Sequence, residues 1–332
     1  MKTRNREIDI MKGLLTVAMI LCHCIQFFGN EGVGTQKQLV NLINLTTFSG
    51  FLFCFGYVSE LAYYRKDFKT AAWKMGKNAV RMVIAFYISG LGYIALAERK
   101  TYQWQRVEAV LKLRVFPGWS EFLASFAAVL LIGIVLYPLM KRMNWKLFLA
   151  FLAASLAGCW LIPYGEIHNS YLALLVGSND YTTFPVLQYG VFFAAGVWFS
   201  KEKISWEKKT LLGAILFGIP FFLYYAQHDS WLPGRFPPSV CFICGGIFGV
   251  YVYRLVSLLL AWLAEKNTIA DIVMTSIENI GMNSMFYLIL SNLLIFAVAG
   301  SNFTYRSIKF AYWYFGIVLC IIYFLRKYIR TK

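Results

Sequence analysis

Apolar runs of roughly span length alternate with short polar connections from end to end of the chain. A bilayer's hydrocarbon core takes about 20 helical residues to cross. Ten runs predict spanning helices at about Ile8–Phe28, Leu39–Tyr63, Asn78–Ala97, Trp119–Met140 and Leu147–Ile162, then Phe184–Ser200, Thr210–Ala226, Val240–Leu263, Ile272–Ala299 and Ile308–Leu325. No fixed-period repeat, low-complexity segment or soluble domain interrupts them, so residues 1–332 read as one domain.

The connections alternate in charge. Summed over them, Lys and Arg number about 20 on the side that carries both termini and about 9 on the other, which places the termini in the cytosol. The longer Glu98–Gly118 loop goes against the trend, and the Pro163–Thr183 loop has no Lys or Arg. With 59% hydrophobic and 14% charged residues, the chain departs from a soluble domain's usual quarter of charged residues. The expectation is an all-α polytopic integral membrane bundle in the cell (cytoplasmic) membrane. The net charge of +16 is scattered in short clusters between spans, so it reads as topogenic and not as a nucleic-acid surface.

Ionisable residues inside spans are costly enough to mark function. The first helix carries Asp9, Lys12 and His23. At about 100° per residue, Lys12 and His23 differ by roughly 20° around the helix and by roughly 16 Å along it, so Asp9, Lys12, Thr16, Met19 and His23 form one stripe. An imidazole titrates near ~6.5, so a neutral His23 is a base for a hydroxyl, or else a packed histidine bonding a neighbouring helix. Lys12 is either a snorkelling cation or the partner of a phosphorylated donor. Cys22 and Cys24 flank His23 about 100° to either side, which argues against a metal trio; no metal site is expected.

Arg81, after Lys74 and Lys77, is a topogenic charge or a phosphate ligand. Arg254 lies deep in the eighth run, as an ion pair or a substrate contact. Glu121, in PGWSEFL, is a solvated carboxylate, a group that orients or protonates His23, or one that bonds acceptor hydroxyls. Glu166, His168 and Asp180 read as solvated loop residues. The QHDSWLPGRFPPS loop offers His228, Asp229 and Arg235 beside aromatic rings, a composition that suits sugar binding and interfacial anchoring alike.

The segment REIDIMKGLLTVAMILCHCIQFF resembles the opening signature of the acyltransferase-3 family of integral membrane acyltransferases. Arg6 or Arg4 leads, Ile8-Asp9 and Lys12-Gly13 follow, and His23 falls at the family's histidine, with Lys12 where arginine is commoner. Further segments resemble the family in order: FLFCFGYVSE, with Phe55 for the usual serine; KNAVRMVIAFY, with Arg81 matching and Ala85 for proline; PGWSEFL, keeping Trp119, Phe122 and Leu123; FPVLQYGVFFAAGVWF; and IENIGMNSMFYLILSNLLIF, with Ser291 where a histidine is often found.

The resemblance implies transfer of an acyl group other than aminoacyl. The acyl group is usually acetyl from acetyl-CoA, and the acceptor a sugar hydroxyl of an extracytoplasmic polysaccharide or cell-wall glycan. On that basis His23 and Glu121 are the expected catalytic groups, and Lys12, Arg81 and Lys77 the expected acyl-CoA contacts. Asp9, Arg254, Arg235, Trp119, Asn283, Ser291 and Asn292 are substrate-side candidates, the last three as oxyanion donors. The expected partners are the lipid bilayer, the glycan and acyl-CoA, with no nucleic acid; a homodimer is compatible with such a chain. A transporter or flippase of a lipid-linked sugar would use the same intramembrane charges, though the chain shows no inverted repeat.

Overall fold

The computed structural model describes residues 5–29, 34–99, 103–229, 231–301 and 306–331, and these are arranged as packed helices with no strand. Arg4 and parts of the first and third loops lie outside the described residues. The helices are α1 Arg6–Phe28, α2 Gly34–Ser59, α3 Phe68–Gly92, α4 Trp104–Leu111, α5 Glu121–Val135, α6 Tyr137–Lys141 and α7 Trp145–Leu161. They continue with α8 Ser170–Val176, α9 Val186–Lys201, α10 Lys208–Gln227, α11 Val240–Lys266, α12 Thr268–Met282, α13 Ser284–Ala299 and α14 Ile308–Thr331. The ends of α2 and α3 widen into π-turns at Glu60–Tyr64 and Tyr93–Ala97.

Each predicted apolar run is helical, but the expected ten spans resolve differently. Among the described residues, six helices are long and apolar enough to cross a membrane: α1, α2, α3, α10, α11 and α14. A seventh arises if α12 and α13 count as one span; they are bent by 81° at the break. The break is Asn283, whose backbone (φ −122°, ψ 25°) leaves the helical region. Its side chain donates back to Asn279 O (2.7 Å) and accepts from Arg326. Hydropathy runs straight through this corner and cannot register it. Meanwhile α5, α7 and α9 have 15, 17 and 16 residues, fewer than the roughly 20 of a full span.

The first helix sits at the centre. It packs against α2, α11, α12, α13 and α14, and most of its residues are buried. Its start is capped by Asn5, whose side chain accepts from Ile8 N (3.1 Å). Ion pairs fix the same end: Arg6 with Asp271 and with Glu278 (3.3 Å), and Glu7 with the buried Arg254 (2.7 Å). Two glycines let α1 and α12 touch backbone to backbone. A Cβ on Gly281 would lie 1.9 Å from Asp9 O, and one on Gly13 would lie 2.1 Å from Ile277 O. Overpacking a close contact costs about 1–3 kcal/mol and here meets backbone on both sides. Gly281→Val is therefore expected to lower the thermal midpoint of the purified protein and its membrane level; an unchanged midpoint would contradict this packing.

Candidate active site

The predicted stripe on α1 opens onto two cavities. The upper one, about 230 Å³, is lined by His23 together with Gln26, Trp119, Glu121, Phe122 and Arg235, and by Asn44 and Thr47 of α2. The lower one, about 200 Å³, is lined by Lys12, by Cys54, Phe55 and Val58 of α2, and by Ser284, Met285 and Leu288 of α13. Phe122 belongs to both walls. Lys12 and His23 thus mark two successive chambers on one helix face, divided by a phenyl ring.

The state of His23 follows from its partner. His23 Nδ1 lies 2.8 Å from Asn292 Oδ1. The orientation of that amide is fixed by its other end: Nδ2 donates to Trp119 O (2.9 Å), which can only accept, and to Ser89 Oγ (3.3 Å). Oδ1 therefore faces the imidazole as an acceptor, and Nδ1–H must donate to it. This places the ring's proton on Nδ1 and leaves Nε2 with a free lone pair, the tautomer that accepts a proton from a substrate. Ser89 Oγ is bonded in turn to Ser120 Oγ (2.7 Å), so the network ties α3, α5 and α13 to the base. Asn292, Ser89 and Ser120 are all buried.

Trp119 is held in a backbone conformation that bulky residues rarely adopt, with φ 63°. The turn directs its carbonyl to Asn292 and its indole Nε1–H to Gln26 Oε1 (3.0 Å). Strain of this kind persists where the surroundings over-determine it, commonly at sites of function. The next two residues start α5, so the same turn sets Glu121 on the cavity wall. Glu121 is buried, and its Oε2 has no hydrogen-bond partner among the described residues. An unpaired buried carboxylate oxygen is an acceptor waiting for a donor, such as a hydroxyl. Across the cavity, the Arg235 guanidinium lies over the Phe236 ring (4.2 Å) and near Phe184 (5.6 Å). Those rings hold a cation at the wall while leaving its in-plane N–H groups available.

The family model described as an acyltransferase domain matches residues 5–327. The chain belongs to the acyltransferase-3 family. No curated protein and no solved structure matches it. The protein is an acyltransferase by family, built on several membrane-length apolar helices.

Within this acyltransferase, the structure gathers four expected residues on one cavity: His23, Trp119, Glu121 and Arg235. Asn292 stands directly behind His23, but as its orienting partner and not as an oxyanion donor, because both amide hydrogens are already committed. The orienting role considered for Glu121 therefore falls to Asn292. Ser291 turns away and donates to Leu288 O (3.0 Å), and Asn283 serves the α12–α13 corner. Neither lines the upper cavity. Asp9 is buried against Lys12 Nζ (2.5 Å), so it neutralises that cation. Arg254 lines neither chamber.

Lys77 and Arg81 are exposed on α3 and line neither chamber, whereas Met82, next to Arg81, lines the lower one. Arg81 donates to Asn78 (3.2 Å). Cys22, expected to point away, shares the upper wall and meets Asn44 (3.8 Å). His168 and Asp180 form an exposed pair (2.6 Å), and His228 stacks on Tyr224; both lie apart from the cavity. Sequence reasoning missed Gln26, Asn44, Thr47, Ser89 and Ser120. Only Gln26 carried a signal, since three residues on from His23 is the same face of a helix. The others reach the site through contacts between distant segments.

Proposed function

We propose that the protein is a membrane-embedded O-acyltransferase that moves an acetyl group from cytosolic acetyl-CoA to a sugar hydroxyl of an extracytoplasmic glycan, with both termini cytosolic. The observation that carries this reading is the tautomer of His23, set by Asn292 beside a polar cavity. In the proposed reaction the acceptor sugar lies in the upper chamber, a neighbouring hydroxyl donating to the open Oε2 of Glu121 and the reacting oxygen accepting from Gln26 or Asn44. His23 Nε2 takes the reacting hydroxyl's proton as its oxygen bonds to the thioester carbonyl carbon. Arg235 faces the negative charge that develops on the carbonyl oxygen. As the C–S bond breaks, the leaving sulfur takes a proton from the imidazolium, which returns His23 to its starting state.

The lower chamber supports the donor's side of this scheme. Its walls are mostly apolar side chains, with Lys12 among them, which suits a slender, uncharged arm whose anionic end is held outside. Because Lys12 is partly neutralised by Asp9, the exposed Lys77 and Arg81 are the remaining cations of the donor proposal. The thioester would meet the hydroxyl at Phe122, where the chambers adjoin. Holding both substrates at one junction supplies much of the acceleration expected of such a site.

Phe122→Trp tests this meeting point. A larger ring at the shared wall is expected to lower the rate of radiolabelled acetyl transfer into glycan by about tenfold or more, with the protein still in the membrane at its normal level. An unchanged rate would separate the two chambers and remove the proposed route.

A further inference from the structure

A third cavity, independent of the acyl-transfer reading, is a groove of about 390 Å³ between α7 and α10, floored by α9 and α11. Its lining is mostly apolar and aromatic, with Phe148, Trp198 and Phe217 among its walls, and Arg254 lines it beside Tyr251 on α11. Arg254 is 2% exposed. Its Nη2 pairs with Glu7, yet Nε–H and the Nη1 amine have no hydrogen-bond partner among the described residues. Buried donors without acceptors are costly, and for a guanidinium more so. Nη2, the nitrogen common to both edges of the guanidinium, is held by Glu7, so the open Nε–H and Nη1–H point in different directions and each suits a single acceptor oxygen, such as one of a phosphodiester.

We propose that this groove is a binding site for a membrane phospholipid, with a phosphodiester oxygen accepting from Arg254 and an acyl chain lying along the aromatic floor. Three observations select a lipid. The groove's mouth lies between two helices whose outer faces are apolar: Leu149, Leu212 and Leu216 are exposed. A chain can therefore enter sideways from the bilayer. The charge of the polar lining is small, because Arg254 is offset by Glu7, and Lys209 by Glu207 on the same wall. That balance suits a single phosphate and does not suit the several phosphates of a coenzyme A. The polar lining also includes the paired hydroxyls of Thr210 and Tyr251 (2.9 Å), which are partners for glycerol-ester oxygens.

The groove can be filled without touching Arg254. Gly213 lines it, and a Cβ there meets nothing within 4 Å, so Gly213→Phe projects a ring into open space. The full-length protein is reconstituted in phosphatidylcholine vesicles containing a trace of phosphatidylglycerol with a photoactivatable diazirine in one acyl chain. Labelling is then mapped by peptide mass spectrometry. The expected result is label concentrated on α9, α10 and α11 residues of the groove. It should fall about tenfold in Gly213→Phe and several-fold in the double variant Glu7→Gln, Arg254→Met. A diacylglycerol probe with the same diazirine, lacking the phosphodiester, should label the groove several-fold less. Label spread evenly over the outer helices, or undiminished in Gly213→Phe, would overturn the proposal. So would equal labelling by diacylglycerol, or displacement of the lipid by acetyl-CoA, which would make the groove a donor site instead.

Discussion

His23→Gln is expected to lower acetyl transfer by about 10²–10⁴-fold while the protein accumulates in the membrane as the wild type does. Glutamine is close to histidine in size, and its amide hydrogens can still donate to Asn292 Oδ1, so the buried network of Asn292, Ser89, Ser120 and Trp119 O keeps its partners. What is lost is the basic nitrogen. An amide offers no lone pair that takes a proton near neutral pH. The measurement is the steady-state rate of thiol release from acetyl-CoA in membranes supplied with acceptor glycan. A rate within a few-fold of wild type would show that proton removal does not pass through His23.

The second large effect is expected at Asn292. Asn292→Leu keeps the volume but removes the acceptor that holds the proton on His23 Nδ1, and it leaves Trp119 O without its donor. The imidazole then loses its tautomer preference and the Trp119 turn loses a tie. Taking away the orienting partner of a catalytic histidine is costly, though less so than taking away the base itself; about 10²-fold in kcat is expected here, with little change in KM. That split distinguishes positioning from substrate binding. A rise in KM at unchanged kcat would mean that Asn292 contacts the acceptor directly. Asn292→Asp sharpens the comparison, because a carboxylate still accepts from Nδ1–H but faces Trp119 O with no hydrogen to donate. It should retain more activity than the leucine variant.

Much of this site was legible from one helix. The spacing of Lys12 and His23 follows from 100° per residue, and the structure puts both on the cavity-bearing face of α1. Glu121 was legible as a polar exception at the edge of an apolar run, and Trp119 through the family resemblance of PGWSEFL. The role of Asn292 was not, because it depends on a contact across 269 residues and on which way an amide points. The same limit applies to Ser89 and Ser120, ordinary small residues until α3 and α5 bring their hydroxyls together. Residues without a partner in sequence gave the weakest guidance: Arg254 was anticipated as buried, yet its pairing with Glu7 and its place in the α7–α10 groove come from tertiary packing alone.

The fold divides along the same line. Hydropathy located the ten long apolar runs, because burial in lipid and burial in protein both demand apolar residues, but it read the segments of the short α4 and α8 as loops. It could not separate the six membrane-length helices from the shorter α5, α7 and α9, nor see the 81° corner at Asn283. The corner is a backbone event between two apolar segments, and it leaves no gap in the apolar pattern.

The acyl-transfer account is tested most directly by following the acetyl group itself. Inside-out membrane vesicles are given radiolabelled acetyl-CoA on their outer, cytosolic face, and label is then measured on the glycan enclosed within them, for the wild type and for His23→Gln at matched protein level. The account predicts alkali-labile label on the glycan with the wild type and its loss with His23→Gln. If the variant labels the glycan as fast as the wild type, or if no label crosses while movement of a lipid-linked sugar fails instead, His23 is a packed histidine and the proposed mechanism is wrong.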